Sequence, residues 1–150
     1  MGRRHLSRLL LAPAAAALFA QAAAGALPYH VLATGRTEGR GGSVHAYVSL
    51  SRSPAWASRV SPQDRAAVAA VDVRRREVAA VFLDGRICGS DPEIAALTRA
   101  RGTVRVKVAY TKPPIGVATC IRQDTPYIVF TFARTGVPAS HISAAAVARA

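Results

Sequence analysis

Residues 103–111 read TVRVKVAYT, and this stretch decides the fold. Val104, Val106, Val108 and Tyr110 alternate with Arg105 and Lys107, so one face is apolar and the other charged. Successive side chains of an extended chain point to opposite faces, and a period of two is the signature of a half-buried β-strand. After it, Lys112-Pro113-Pro114-Ile115-Gly116 reads as a Pro-Gly loop. Ala118 to Arg122 reads as a short edge strand. PYIVFTFA (126–133) is a β-branched and aromatic strand, with Pro126 tolerated as its first residue. Before it, EIAALTRA (93–100) has helical propensity, yet Gly and Pro crowd its start and Gly102 closes it. EVAAVFLD (77–84) is apolar on both faces and ends at Asp84-Gly85, as a central strand running into a turn does.

The pattern continues toward the N-terminus. VHAYVSLS (44–51) places Val44, Ala46, Val48 and Leu50 on one face and His45, Tyr47 and Ser49 on the other. YHVLAT (29–34) is short and β-prone, and GRTEGRGGS (35–43) reads as a flexible glycine-rich loop. Ser53 at an N-cap with Pro54 at the first helical position opens a short helix over AWASRV, with Trp56 as its core anchor. Ser61-Pro62-Gln63-Asp64 opens a second short helix through Val68. The expected fold class is mainly β: a small β-sandwich or partly open barrel with one or two short helices, after a cleaved signal peptide.

The leader is read from MGRRHLSRLLLAPAAAALFAQAAAGA. Arg3, Arg4 and Arg8 precede a short apolar run, and Ala20-Gln21-Ala22 and Ala24-Gly25-Ala26 both fit the small-x-small cleavage pattern. The run holds Pro13 and is shorter than the roughly 20 residues that span a bilayer. An uncleaved N-terminal anchor is the competing reading. The expected division is 1–26 signal peptide, 27–134 β domain and 135–150 a loosely ordered Ala-rich tail. The chain is strongly basic, with a formal net charge of +12 over 150 residues. The leader holds three of the twenty basic residues and none of the eight acids. The mature chain keeps most of that charge, as a scattered, largely solvated surface. Arg far outnumbers Lys, and with so much Ala this fits a GC-rich genome. Such a charge favours anionic partners. In an extracytoplasmic chain, secreted or held in the cell envelope, that points to weak contact with an anionic envelope polymer and not to nucleic acid.

Cys88 and Cys120 are the only cysteines. In an oxidising compartment a disulfide is their expected state. Closing a loop of about 33 residues stabilises a fold by roughly 3–4 kcal/mol in the chain-entropy model. A catalytic thiol needs a base, and His30, His45 and His141 sit in no recognisable cysteine-protease context. Two cysteines and scattered histidines supply no zinc spacing. Asp84, Asp91 and Glu93 cluster around the Cys88 turn, where turn chemistry explains the aspartates. No P-loop, GxGxxG or GxSxG string occurs. The sequence reading is therefore no catalytic residue, no metal ligand and no cofactor.

Several segments in order carry a resemblance: YHVLATG, the Trp-bearing PAWASRV, VDVRRREVAAVFLDGRICGSDPEI, GTVRVKVAYTKPPIG and QDTPYIVF. Across residues 29–134 this resembles the C-terminal domain family of the protease-complex subunit PrcB. Val71-Asp72-Val73 stands at the family's Asp-aromatic step, with Val in place of the aromatic. Gly85 and Gly89 occupy its glycine positions, Pro113, Pro114 and Gly116 its loop, and Pro126-Tyr127 opens its last strand. The departure is Cys88-Gly89-Ser90-Asp91 where the family runs through Gly-Gly-Tyr. The resemblance implies an all-β domain with no enzyme activity that supports or stabilises an extracytoplasmic protease or protease complex. The same turn is more loosely similar to chagasin-type protease inhibitors, which insert loops into a protease cleft. The expected partner-binding loops are Arg86, Gly89, Ser90 and Asp91 with Pro113, Pro114, Ile115 and Gly116, pinned by Cys88–Cys120. The expected function is protein binding, with loop-inserting inhibition or cationic envelope-polymer binding as alternatives.

Overall fold

The structure, a computed structural model, describes residues 25–38, 43–84, 92–111, 124–138 and 141–149. The chain runs β1 (Gly25–Ala26), β2 (Tyr29–Glu38), β3 (His45–Ser49), a 3-10 helix (Ala55–Arg59), α1 (Pro62–Ala69), β4 (Arg76–Phe82), β5 (Glu93–Ala100), β6 (Thr103–Thr111), β7 (Asp124–Ala133) and β8 (Ile142–Arg149). The molecule is mainly β. One four-stranded sheet has the order β1-β5-β6-β8 and the other β2-β7-β4-β3. Neighbours pair antiparallel except β6 and β8, which are parallel.

The period-two reading of residues 103–111 holds: Val104, Val106 and Val108 are buried while Arg105 and Lys107 are exposed. They meet Ile94, Leu97, Ala79, Val81, Leu83, Ile128, Phe130 and Phe132 in the core between the sheets. β4 and β7 are the central strands of their sheet and are buried on both faces. Their other face, with Val78, Ala80, Phe82, Tyr127 and Val129, packs beneath Trp56, Val60 and Val68. The layers are therefore sheet, sheet and a thin helical cap, which is why EVAAVFLD shows no alternation: both of its faces are covered. Trp56 anchors the cap as expected.

Several expectations need correction, and one open reading is settled: EIAALTRA, helical by propensity but crowded by Gly and Pro, forms a strand, β5. Ile94 and Leu97 stand three apart, as on a helix face, but a register shift between Ile94 and Ala96 leaves Ala95 extra. That bulge turns both apolar residues to the same side. The β5–β6 hairpin then closes on Arg101 and Gly102, with φ of 50° and 75°, as a two-residue hairpin turn with both central residues at positive φ requires. Residues 35–38, read as the start of the glycine-rich loop, belong to β2, which extends to Glu38. Pro54, not Ser53, caps the 3-10 helix, which ends at Arg59. Ser61 caps α1 as expected, accepting from the Asp64 N–H at 3.1 Å.

The largest correction lies at the C-terminus. The segment read as a loose tail forms β8, paired in parallel with β6 from Val104↔Ile142 to Thr111↔Arg149. Ile142, Ala144 and Ala146 pack on the core between the sheets. The turn that leads there is held by Glu77, only 2% exposed. Its carboxylate accepts the Thr135 N–H at 3.0 Å and the Thr135 hydroxyl at 3.3 Å. At the other end, Gly25–Ala26, assigned to the leader, pair with Arg99 and Thr98 of β5. Pro126 is the third residue of β7, not its first.

Candidate functional site

Arg86, Cys88, Gly89, Ser90, Asp91, Pro113, Pro114, Ile115, Gly116 and Cys120 all lie outside the described residues, as does the edge strand expected at 118–122. The strands that flank them are described, and they define where both segments are anchored. β4 and β7 are neighbours, with Phe82 opposite Tyr127 and the Leu83 N–H donating to the Pro126 carbonyl at 2.9 Å. β5 and β6 are neighbours in the other sheet, with Glu93 opposite Ala109. Segment 85–91 leaves the end of β4 for the start of β5, and segment 112–123 leaves the end of β6 for the start of β7. Both therefore cross between the same end of one sheet and the same end of the other, on adjacent strands at each side. Segment 39–42 joins the end of β2 to the start of β3 at that same end of its sheet.

Charge borders these strand ends. Arg36 and Asp124 form an ion pair at 3.2 Å across β2 and β7. Arg149 of β8 reaches Glu93 of β5 at 2.6 Å, spanning β6, which lies between those strands. His45 meets the Ser43 hydroxyl at 2.7 Å. Just behind, the start of β7 is locked to the helical cap. The Tyr127 hydroxyl donates to the Asp64 carboxylate and accepts the Ser61 N–H at 3.2 Å. Burial, and then the bond to Asp64, push the Tyr127 phenol above its ordinary pKa. The Arg59 guanidinium stacks 3.9 Å from the Phe82 ring centre. These contacts tie the start of β7 and the end of β4 to the helical cap.

Sequence reading missed the Tyr127–Asp64–Ser61 lock and the buried Glu77. The spacing Ser61-x-x-Asp64 announces the cap but not the tyrosine that meets it. Glu77 stands beside Arg74-Arg75-Arg76 in the chain, and that charge run disguises a buried acid. Within the run, Arg76 bonds the Thr131 hydroxyl at 3.1 Å, while Arg74 and Arg75 are exposed.

Other surfaces include pockets and a sheet face. A pocket of about 470 Å3 lies between the 3-10 helix and α1. A second of about 470 Å3 lies beside Glu77 and Arg134, and one of about 330 Å3 beside the β5–β6 hairpin. Among the described residues, no helix covers the outer face of the β1-β5-β6-β8 sheet. Arg105 and Lys107 project from its interior strand β6, opposite Ser143 and Ala145 of β8. Among the described residues no three His, Cys, Asp or Glu side chains gather to hold a metal ion. Nor, among them, is any helix long and apolar enough to cross a membrane.

Comparison with known protein families, with curated proteins and with solved structures finds no match.

Proposed function

We propose that this chain is an exported, non-enzymatic β domain that binds another protein, an extracytoplasmic protease or protease complex that it supports. The binding surface is the end from which segments 85–91 and 112–123 cross between the sheets. The observation that carries this reading is the shared anchoring of those segments: each starts and finishes on strands paired with those of the other. A Cys88–Cys120 bridge would then join two neighbouring crossovers, not distant parts of the molecule. Loops fixed before binding lose less entropy when they bind.

The test is site-specific photo-crosslinking in the producing envelope. A crosslinker at Ser90 or Ile115 is expected to capture a protease-containing complex, and one at Arg105, on the outer face of the other sheet, is not. Equal capture from all three positions, or none, counts against the surface. A fall in peptidase turnover on titration with the purified domain favours the inhibitor alternative over support.

A second reading, contact with an anionic envelope polymer, is favoured by Arg105 and Lys107. Both are exposed, and among the described residues neither makes a hydrogen bond or ion pair and no helix lies over their sheet face. Exposed charges are screened by salt, so this reading predicts release from the envelope as ionic strength rises.

A further inference from the structure

The pocket between the 3-10 helix and α1 joins two arginines to an apolar wall. Among the described residues its charged lining members are Arg52 and Arg65, and no acidic residue lines it. Its apolar wall comes from Pro54, Ala57, Ala66 and Ala69. The helical period produces this separation: Asp64 and Val68 turn toward the sheet, where one meets Tyr127 and the other is buried, so Arg65, Ala66 and Ala69 fall on the opposite side.

Arg65 is held in place. Its Nε donates to the Ala57 carbonyl at 3.1 Å and its Nη2 to the Val60 carbonyl at 3.5 Å. Nη1 makes no hydrogen bond among the described residues, and neither does the Arg52 side chain. A guanidinium already oriented by two carbonyls loses little freedom when it pairs with an anion. The volume, about 470 Å3, falls within the range typical of small-molecule sites, roughly 300–1,000 Å3.

We propose that this pocket binds a short aliphatic chain ending in a carboxylate. The alkyl part lies on the alanine and proline wall, and the carboxylate pairs with Arg65 and Arg52. The chemistry is shared by a free short-chain acid and by the C-terminus of a peptide with an aliphatic last residue. The pocket is built without either crossover segment, so it stands independently of the protein-binding reading.

The experiment is a 15N NMR titration of the whole mature chain with hexanoate, hexylamine, and the peptide Ala-Ala-Leu with a free or amidated C-terminus. Saturable shifts confined to the amides of residues 52–58 and 62–69 are expected with carboxylate ligands and not with hexylamine or the amide. Ala69→Phe fills an exposed part of the pocket and is expected to weaken binding roughly tenfold or more, because it occupies the alkyl site. Arg52→Gln is expected to weaken it about threefold to tenfold by removing one charge-assisted bond. The variants' own spectra report whether they are folded. Stronger binding of the free peptide than of hexanoate assigns a protein C-terminus, and the reverse assigns a free acid; either upholds the site. Absence of saturation, an equal response to hexylamine, or unchanged binding by a folded Ala69→Phe variant overturns it.

Discussion

At the scale of the residue, Tyr127 joins more of the molecule than any residue type in the sequence announces. Its ring lies over Gly35, its cross-strand partner, and its hydroxyl holds Asp64 and Ser61 at the start of α1. A Cβ at position 35 would lie 2.5 Å from the Tyr127 Oη and 2.6 Å from its Cζ. Gly35→Ala is therefore expected to destabilise the fold by about 1–3 kcal/mol, the usual cost of overpacking, measured by chemical denaturation. Tyr127→Phe leaves Ser61 and Asp64 without their partner and is expected to cost a similar amount, roughly 1–3 kcal/mol. The hydroxyl also sets a pH dependence. Burial and Asp64 raise the phenol pKa in the folded state, so the neutral form is favoured by folding. The resulting stability is complete below the unfolded value of about 10 and is lost as pH rises through the higher folded value. Denaturation midpoints of the native chain are expected to fall as pH rises from about 10 through the folded value, and those of Tyr127→Phe to fall less. An equal alkaline fall in both would remove Tyr127 as the cause. None of this was legible in the sequence. Gly35 was read as the start of a loop, because a glycine kept for a ring above it looks the same as one kept for flexibility.

At the scale of the element, legibility followed periodicity. Residues 103–111 declared both faces of β6, and the unbroken apolar run at 77–84 declared a central strand. β5 was ambiguous because one bulge converts strand alternation into helix-like spacing. β8 was missed for a different reason. ISAAAVAR is rich in alanine, which has little β-propensity of its own, and it becomes a strand through its non-local pairing with β6. Inward Ile142, Ala144 and Ala146 add to the core. Truncation before Ile142 is expected to lower stability by at least about 2 kcal/mol, from the apolar surface returned to water. A loose tail would leave stability within about 0.5 kcal/mol, so equilibrium denaturation of the truncated chain separates the two.

At the scale of the whole molecule, among the described residues the sandwich has helices over one outer face and none over the other. Its two crossover segments are anchored on neighbouring, paired strands at each end. The candidate loops were named from turn chemistry and family resemblance, and the structure describes the frame that holds them. On that frame we propose that Cys88 and Cys120 tie the two crossover segments into one partner-facing surface. A non-reducing peptide map of protein recovered from the producing cells tests it most directly. A single linked peptide pair carrying Cys88 and Cys120 is expected, with neither thiol alkylated until reductant is added. Full alkylation without reductant, or linkage between separate chains, would contradict it.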